Sequence, residues 1–139
     1  MPRPVHRHRT IVLLVTGAAL ALAAPAAMAD RAPTKAERAA IKRVALAHCD
    51  APGGCRFKKA RISTRSARYA WADVFGEGFS GLLLKRPTAH SLRFRVVAIQ
   101  GGGIETCSHW RAHAPRSVLR DLDVVGLTDV SAGTTGKCG

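Results

Sequence analysis

The side chains of this 139-residue chain that could do chemistry fall into a few groups, and the most specific is Cys107-x-His109-x3-His113. Two histidines four apart share a zinc ion when they sit on successive helical turns, and a thiolate adds a third ligand. Ala114-Pro115 argues instead for a loop here, and an oxidising compartment would take Cys107 into a disulfide. No metal and no cofactor is therefore expected, and His109 and His113 read as surface loop residues. His48 beside Cys49 is a pair of the type used in nucleophilic catalysis. With Cys49 in a disulfide, His48 reads as a partly buried residue near a helix C-terminus, where its charged form gains from the dipole. Asp73, Glu77, Glu105, Asp121 and Asp123 show no paired spacing of the glycosidase kind. Ser80-Gly81 and Ser108-x-Trp110 match no nucleophile elbow. Gly101-Gly102-Gly103 lacks the Lys-Ser/Thr ending of a phosphate loop and reads as a turn needing positive φ. These residues favour a non-enzymatic protein over a small hydrolase.

The basic residues offer a different chemistry. Lys59 and Arg61 belong to one expected strand and Arg93 and Arg95 to another, while Arg65, Arg68, Lys85 and Arg86 lie at or near strand ends. If the strands align, one sheet face becomes an arginine-rich plate able to take phosphate or carboxylate bidentately, with Trp71 or Tyr69 as a stacking surface. The plainer reading is a solvated face with cross-strand ion pairs. The 22 Lys and Arg against nine acids favour an anionic polymer or a cell-envelope component as partner. GC-rich coding would enrich the same Ala, Arg, Gly and Pro, so charge alone decides little. The alternative function is inhibition of a secreted protease or other hydrolase. Ile104-Glu105-Thr106, held rigid next to Cys107, would be the inhibitory loop.

The elements that must position these groups begin after a leader. Met1–Thr10 is basic, Ile11–Ala24 carries no charge, and Ala27-Met28-Ala29 is an A-x-A cleavage signal. The uncharged run is short of the roughly 20 residues that span a bilayer. The expectation is a signal peptide over 1–29, export with cleavage near Ala29, and an extracellular product without a membrane span. A single domain over 30–127 would follow, then a Gly-rich loop tail over 128–139 tethered by Cys138. Three of the basic residues and none of the acids precede Asp30, leaving 19 positive against nine negative charges. Four cysteines in an exported chain read as two disulfides. The Asp50–Gly54 turn favours Cys49–Cys55, which leaves Cys107–Cys138; pairing of Cys49 or Cys55 with Cys107 is the alternative.

Thr34-Lys35-Ala36-Glu37 is a capping box, and Ile41, Val44, Ala45 and His48 mark one face of a helix over Lys35–His48. The period then changes to two. Strands are expected over Lys58–Thr64, Arg68–Phe75 and Phe79–Lys85, and from Ser91 through the segment in which Leu92, Phe94, Val96 and Ala98 share the buried face. Ser108–Ala114 reads as a loop. Pro115 opens a short helix carrying Val118, Leu119 and Leu122, with Val124, Val125 and Leu127 as a last apolar patch. The fold class is α+β: an N-terminal helix packed on a four-stranded antiparallel meander, a short C-terminal helix, and disulfide staples.

At RYAWADVF, LRFRVVAIQGG, the cysteine after it and Pro115-x-x-Val118-x-x-Asp121-Leu122, the chain resembles the small secreted proteins of unknown function found in actinobacteria. The likeness covers roughly Ile62 to Leu127, and Phe94 stands where those chains often carry Trp. It implies an exported α+β domain and no particular activity.

Overall fold

Both arms of the Thr34–Glu37 capping box are made. The Thr34 hydroxyl accepts from the Glu37 amide at 3.2 Å, and the Glu37 carboxylate accepts from the Thr34 amide at 2.9 Å. They start α1, Lys35–Ala47, in a computed structural model that describes residues 30–49, 54–76 and 81–139. The leader over 1–29, the Pro52-Gly53 turn and the Glu77–Ser80 link lie outside the described residues.

The chain is α+β, with a five-stranded antiparallel sheet in sequential order: β1 Asp30–Arg31, β2 Arg56–Ser63, β3 Tyr69–Phe75, β4 Gly81–Lys85 and β5 Arg95–Gln100. The expected four-strand meander is present with one addition: the two-residue β1 pairs with Ile62 and Ser63 at the edge of β2. Alternation along β3 sends Ala70, Ala72 and Val74 towards α1 and Tyr69 and Trp71 to the opposite layer. On the first side, Ile41 and Ala45 pack over Ile62, Leu82, Leu84 and Phe94. The second side is not the solvated plate expected above. Trp110, Val118, Leu119 and Leu122 cover Trp71, Leu83 and Ala98. The unbroken Leu82-Leu83-Leu84 run accounts for this, because a strand buried on both faces has no polar side.

Four further expectations are corrected. Residues 107–113 are a helix, α2 Cys107–His113, and not a loop. Thr106 caps it by accepting from the His109 amide at 3.2 Å, and Cys107 and Trp110 turn inward with Ala114 just beyond. Pro115 follows α2 directly and serves as N-cap of α3, Arg116–Asp121. The Gly-rich tail is also ordered, as a hairpin of β6 Val125–Asp129 and β7 Thr134–Lys137. Its turn is built by Asp129, whose carboxylate accepts from the Ser131 and Ala132 amides at 2.9 and 3.1 Å, and by Gly133 at φ 64°. Finally, Leu92, Phe94, Val96 and Ala98 do not share a face. Leu92 is exposed, and a bulge between Leu83 and Leu84 pairs Leu84 with Val96 but Leu83 with Ala98. The extra residue, Val97, lets β5 change phase, so Ala98 joins the Trp110 layer. None of Gly101, Gly102 and Gly103 takes a positive φ, so the turn there does not need glycine for that reason.

The sulfurs pair as Cys49–Cys55 and Cys107–Cys138. The second bridge ties α2 to the end of the hairpin. Cys138 is buried; its amide donates to the Val124 carbonyl at 2.9 Å, and its carbonyl accepts from Arg111 Nε at 3.1 Å. Among the described residues, no helix is long and apolar enough to cross a membrane.

Candidate functional site

In an antiparallel meander the start of β3, the end of β4 and the start of β5 meet at one end of the sheet. This sequence places a cation at every one of those positions. Arg68 precedes β3, Lys85 ends β4, Arg86 follows it, and Arg93 and Arg95 flank the start of β5. Together with Pro87 these five side chains line a cleft of about 420 Å³. Among the described residues its lining contains no carboxylate, histidine, serine or cysteine, so the chemistry these side chains offer is charge neutralisation and donation of hydrogen bonds.

One of the five is structural. The Arg86 side chain is fully buried, and each of its three nitrogens is bonded. Nε donates to the Ala67 carbonyl at 2.7 Å, Nη1 to the Ser91 carbonyl at 3.0 Å and Nη2 to Glu37 at 2.9 Å, while the guanidinium lies 4.8 Å from the Phe94 ring centroid. Ala67 leads into Arg68, and Ser91 leads into Arg93. Arg86 therefore pins both walls of the cleft to one point. Glu37, which also accepts two bonds from Arg31 at 2.8 Å, is the counter-charge. The Arg31 guanidinium, the Thr34 amide and Arg86 hold its carboxyl far below the usual carboxylate range, against the opposing effect of burial.

The other four cations differ. Among the described residues none of Arg68, Lys85, Arg93 and Arg95 forms an ion pair with a carboxylate. Lys85 lies 5.2 Å from the Tyr69 ring centroid, and Arg68 Nε reaches the Arg86 carbonyl at 3.3 Å. Lys85 and Arg95 are direct partners in the β4–β5 ladder, so they project from the same face.

The expected arginine plate is thus divided. Lys85, Arg93 and Arg95 come together; Lys59, Arg61 and Trp71 do not join them. Lys59 is exposed on β2 opposite Asp73, away from the cleft. Arg61 is partly covered and lies 3.6 Å from Asp30. Trp71 is buried edge-on against Trp110 at 5.4 Å, with its Nε1 donating to Asp73 at 2.7 Å, so it offers no stacking surface. Arg68 and Arg86 are visible as strand-end residues in the sequence. What joins them to the site is the meander itself, whose short links bring alternate strand ends to one edge.

The remaining candidates are placed as follows. Cys107 is in a disulfide, so the Cys107-x-His109-x3-His113 set has no thiolate; the His109 and His113 rings stack edge-on at 5.2 Å. No group of three metal-ligating side chains occurs among the described residues. His48 is exposed at the C-cap of α1, not partly buried. In the 104–106 loop Ile104 is exposed, but the Glu105 carbonyl accepts from the Leu127 amide at 2.8 Å and Thr106 caps α2. These bonds tie Glu105 to the hairpin and Thr106 to the helix. Asp121 is a buried bracket between α3 and the β2–β3 turn. It accepts from the Ser63 hydroxyl and the Thr64 amide, both at 2.6 Å, and from the Arg65 amide at 3.2 Å. Comparison with protein-family models, curated proteins and solved structures gives no match.

Proposed function

We propose that this chain is a non-enzymatic, exported binding protein that takes an anionic partner, a polymer or a cell-envelope component, in the cleft at the β3–β4–β5 end of the sheet. The observation that carries the reading is the convergence of Arg68, Lys85, Arg93 and Arg95 on one concavity whose lining, among the described residues, holds no acid. Like charges gathered without counter-charge cost stability, and such a cost is commonly retained where a ligand supplies the missing charge. Arg86 supports it further by fixing both walls, since pre-ordered donors lose less entropy on binding. Two disulfides fit an oxidising, extracellular setting. The committed backbone at Glu105 and Thr106 weighs against the protease-inhibitor alternative.

Retention on immobilised heparin tests the proposal. The wild-type chain should be held at low salt and released as salt rises, because screening weakens exposed charge pairs. Arg93→Ala with Arg95→Ala should elute at markedly lower salt, while Lys59→Ala on β2 should shift elution little. Equal elution of the double variant and the wild type would remove the cleft from the reading.

A further inference from the structure

Lys85 and Arg95 face each other directly across two neighbouring strands. Like charges in that position destabilise a sheet. Among the described residues no carboxylate pairs with either cation, and Lys85 meets only the Tyr69 ring at 5.2 Å. Arg68 and Arg93 add charge of the same sign at the rim, and the nearby Glu37 carboxylate is consumed by Arg31 and Arg86. A ligand group that meets both cations at once would relieve the repulsion.

That requirement discriminates among anions. A carboxylate or a sulfate ester carries a single charge and neutralises one of the two partners. A terminal phosphate carries close to two charges near neutral pH and presents three acceptor oxygens. It can accept from the Lys85 ammonium on one side and from the planar fork of Arg95 on the other, leaving an oxygen for Arg68 or Arg93. The cleft volume of about 420 Å³ exceeds what one such group fills. At roughly 30 Å³ per water, a phosphate occupies only a few water volumes. Space and charge therefore remain for a second phosphate or for the group that carries the first. Resting on the anion-binding reading above, we infer that the cleft selects a dianionic phosphate, a condensed phosphate or a phosphomonoester, bridged between Lys85 and Arg95.

The test is calorimetric titration of the full chain with inorganic pyrophosphate, glycerol phosphate and methyl sulfate at matched ionic strength, alongside heparin retention. Pyrophosphate should bind at least about tenfold more tightly than methyl sulfate, a difference of about 1.4 kcal/mol. Glycerol phosphate binding with the same preference would place phosphomonoesters among the ligands; pyrophosphate binding alone would restrict the site to condensed phosphates. Lys85→Ala and Arg95→Ala should each abolish the preference, and Lys59→Ala should retain it. A folding control is built in: the unligated Arg95→Ala protein should unfold at the same temperature as wild type or higher, because the substitution relieves a repulsion. Pyrophosphate binding no better than methyl sulfate, with heparin retention intact, would overturn the phosphate inference and leave the anion reading standing. Absence of heparin retention as well would overturn both.

Discussion

Replacing Glu37 by glutamine removes one negative charge and almost no volume, and the structure indicates how much that matters. Glu37 stands between two guanidiniums of unlike exposure. The Arg31 side chain is 35% exposed, so its share is close to a surface ion pair, worth at most about 1 kcal/mol. The Arg86 side chain is 0% exposed, and stranding a buried charge by removing its partner costs about 3–5 kcal/mol. The introduced amide oxygen can still accept from the Thr34 amide, which keeps part of the cap and sets the expected loss near the lower figure, about 3 kcal/mol. For the 110 residues from Asp30 onward, an unfolding entropy of about 2.1 cal/mol/K per residue converts this to a fall in Tm of roughly 13 °C. The assay is thermal unfolding followed by circular dichroism, with both disulfides intact. A second readout is the acid limb. The folded carboxyl titrates below its unfolded value, so the unfolded chain takes up the proton first. The contribution of Glu37 is complete above about pH 5 and is lost as pH falls through the ordinary glutamate range towards the lowered folded value. The gap between wild type and Glu37→Gln should therefore narrow on acidification. A fall in Tm under about 3 °C, or a gap unchanged between about pH 7 and pH 3, would refute the assignment of Glu37 as the counter-charge of Arg86.

Other expectations are simpler to check. Joint replacement of Cys107 and Cys138 by Ala opens a loop with a separation of 31 residues and should cost roughly 4 kcal/mol, against roughly 2 for the 6-residue separation of Cys49 and Cys55, as read by denaturant unfolding. Gly81→Ala should destabilise by about 1–3 kcal/mol, because its methyl group would run into the Trp71 indole, which is fixed against Trp110; a chevron or urea midpoint measures it. Lys137→Ala should change stability by less than about 1 kcal/mol despite the 2.7 Å contact with Asp123, since both side chains are more than half exposed.

Local signals in the sequence are legible at the scale on which they act. The capping box at Thr34 and the proline before α3 depend only on neighbours within a few residues, and both do in the structure what their chemistry allows. The α2 helix is hidden because Ala114-Pro115 resembles a loop signal, whereas proline there serves as the N-cap of the next helix. Cys107, Trp110 and Ala114, at i, i+3 and i+7, are the face that discloses it. The hairpin is hidden by composition: Thr134-Thr135-Gly136-Lys137 is a mostly exposed strand with little apolar pattern, and its turn is signalled by Asp129 and Gly133 alone. The bulge at Val97 is invisible to an alternation argument, since one inserted residue inverts every later assignment while leaving the sequence apolar throughout. The candidate site is half legible for a related reason. Residue type names the cations, but only the shared sheet end separates Lys85, Arg93 and Arg95 from Lys59 and Arg61.

Asp121 joins α3 to the β2–β3 turn across 58 residues of chain, through bonds to Ser63 and its neighbours. The β2–β3, β3–β4 and β4–β5 pairs close between strands consecutive in sequence, and α1 packs on them. Long loops close at an entropic cost that must be met before their contacts contribute. The expectation is that the sheet with α1 forms early and that α3 docks through Asp121 after it. Substitutions at Asp121 should therefore speed unfolding and leave the refolding rate nearly unchanged, with φ-values near zero, whereas substitutions at Ala72 or Leu84 should slow refolding.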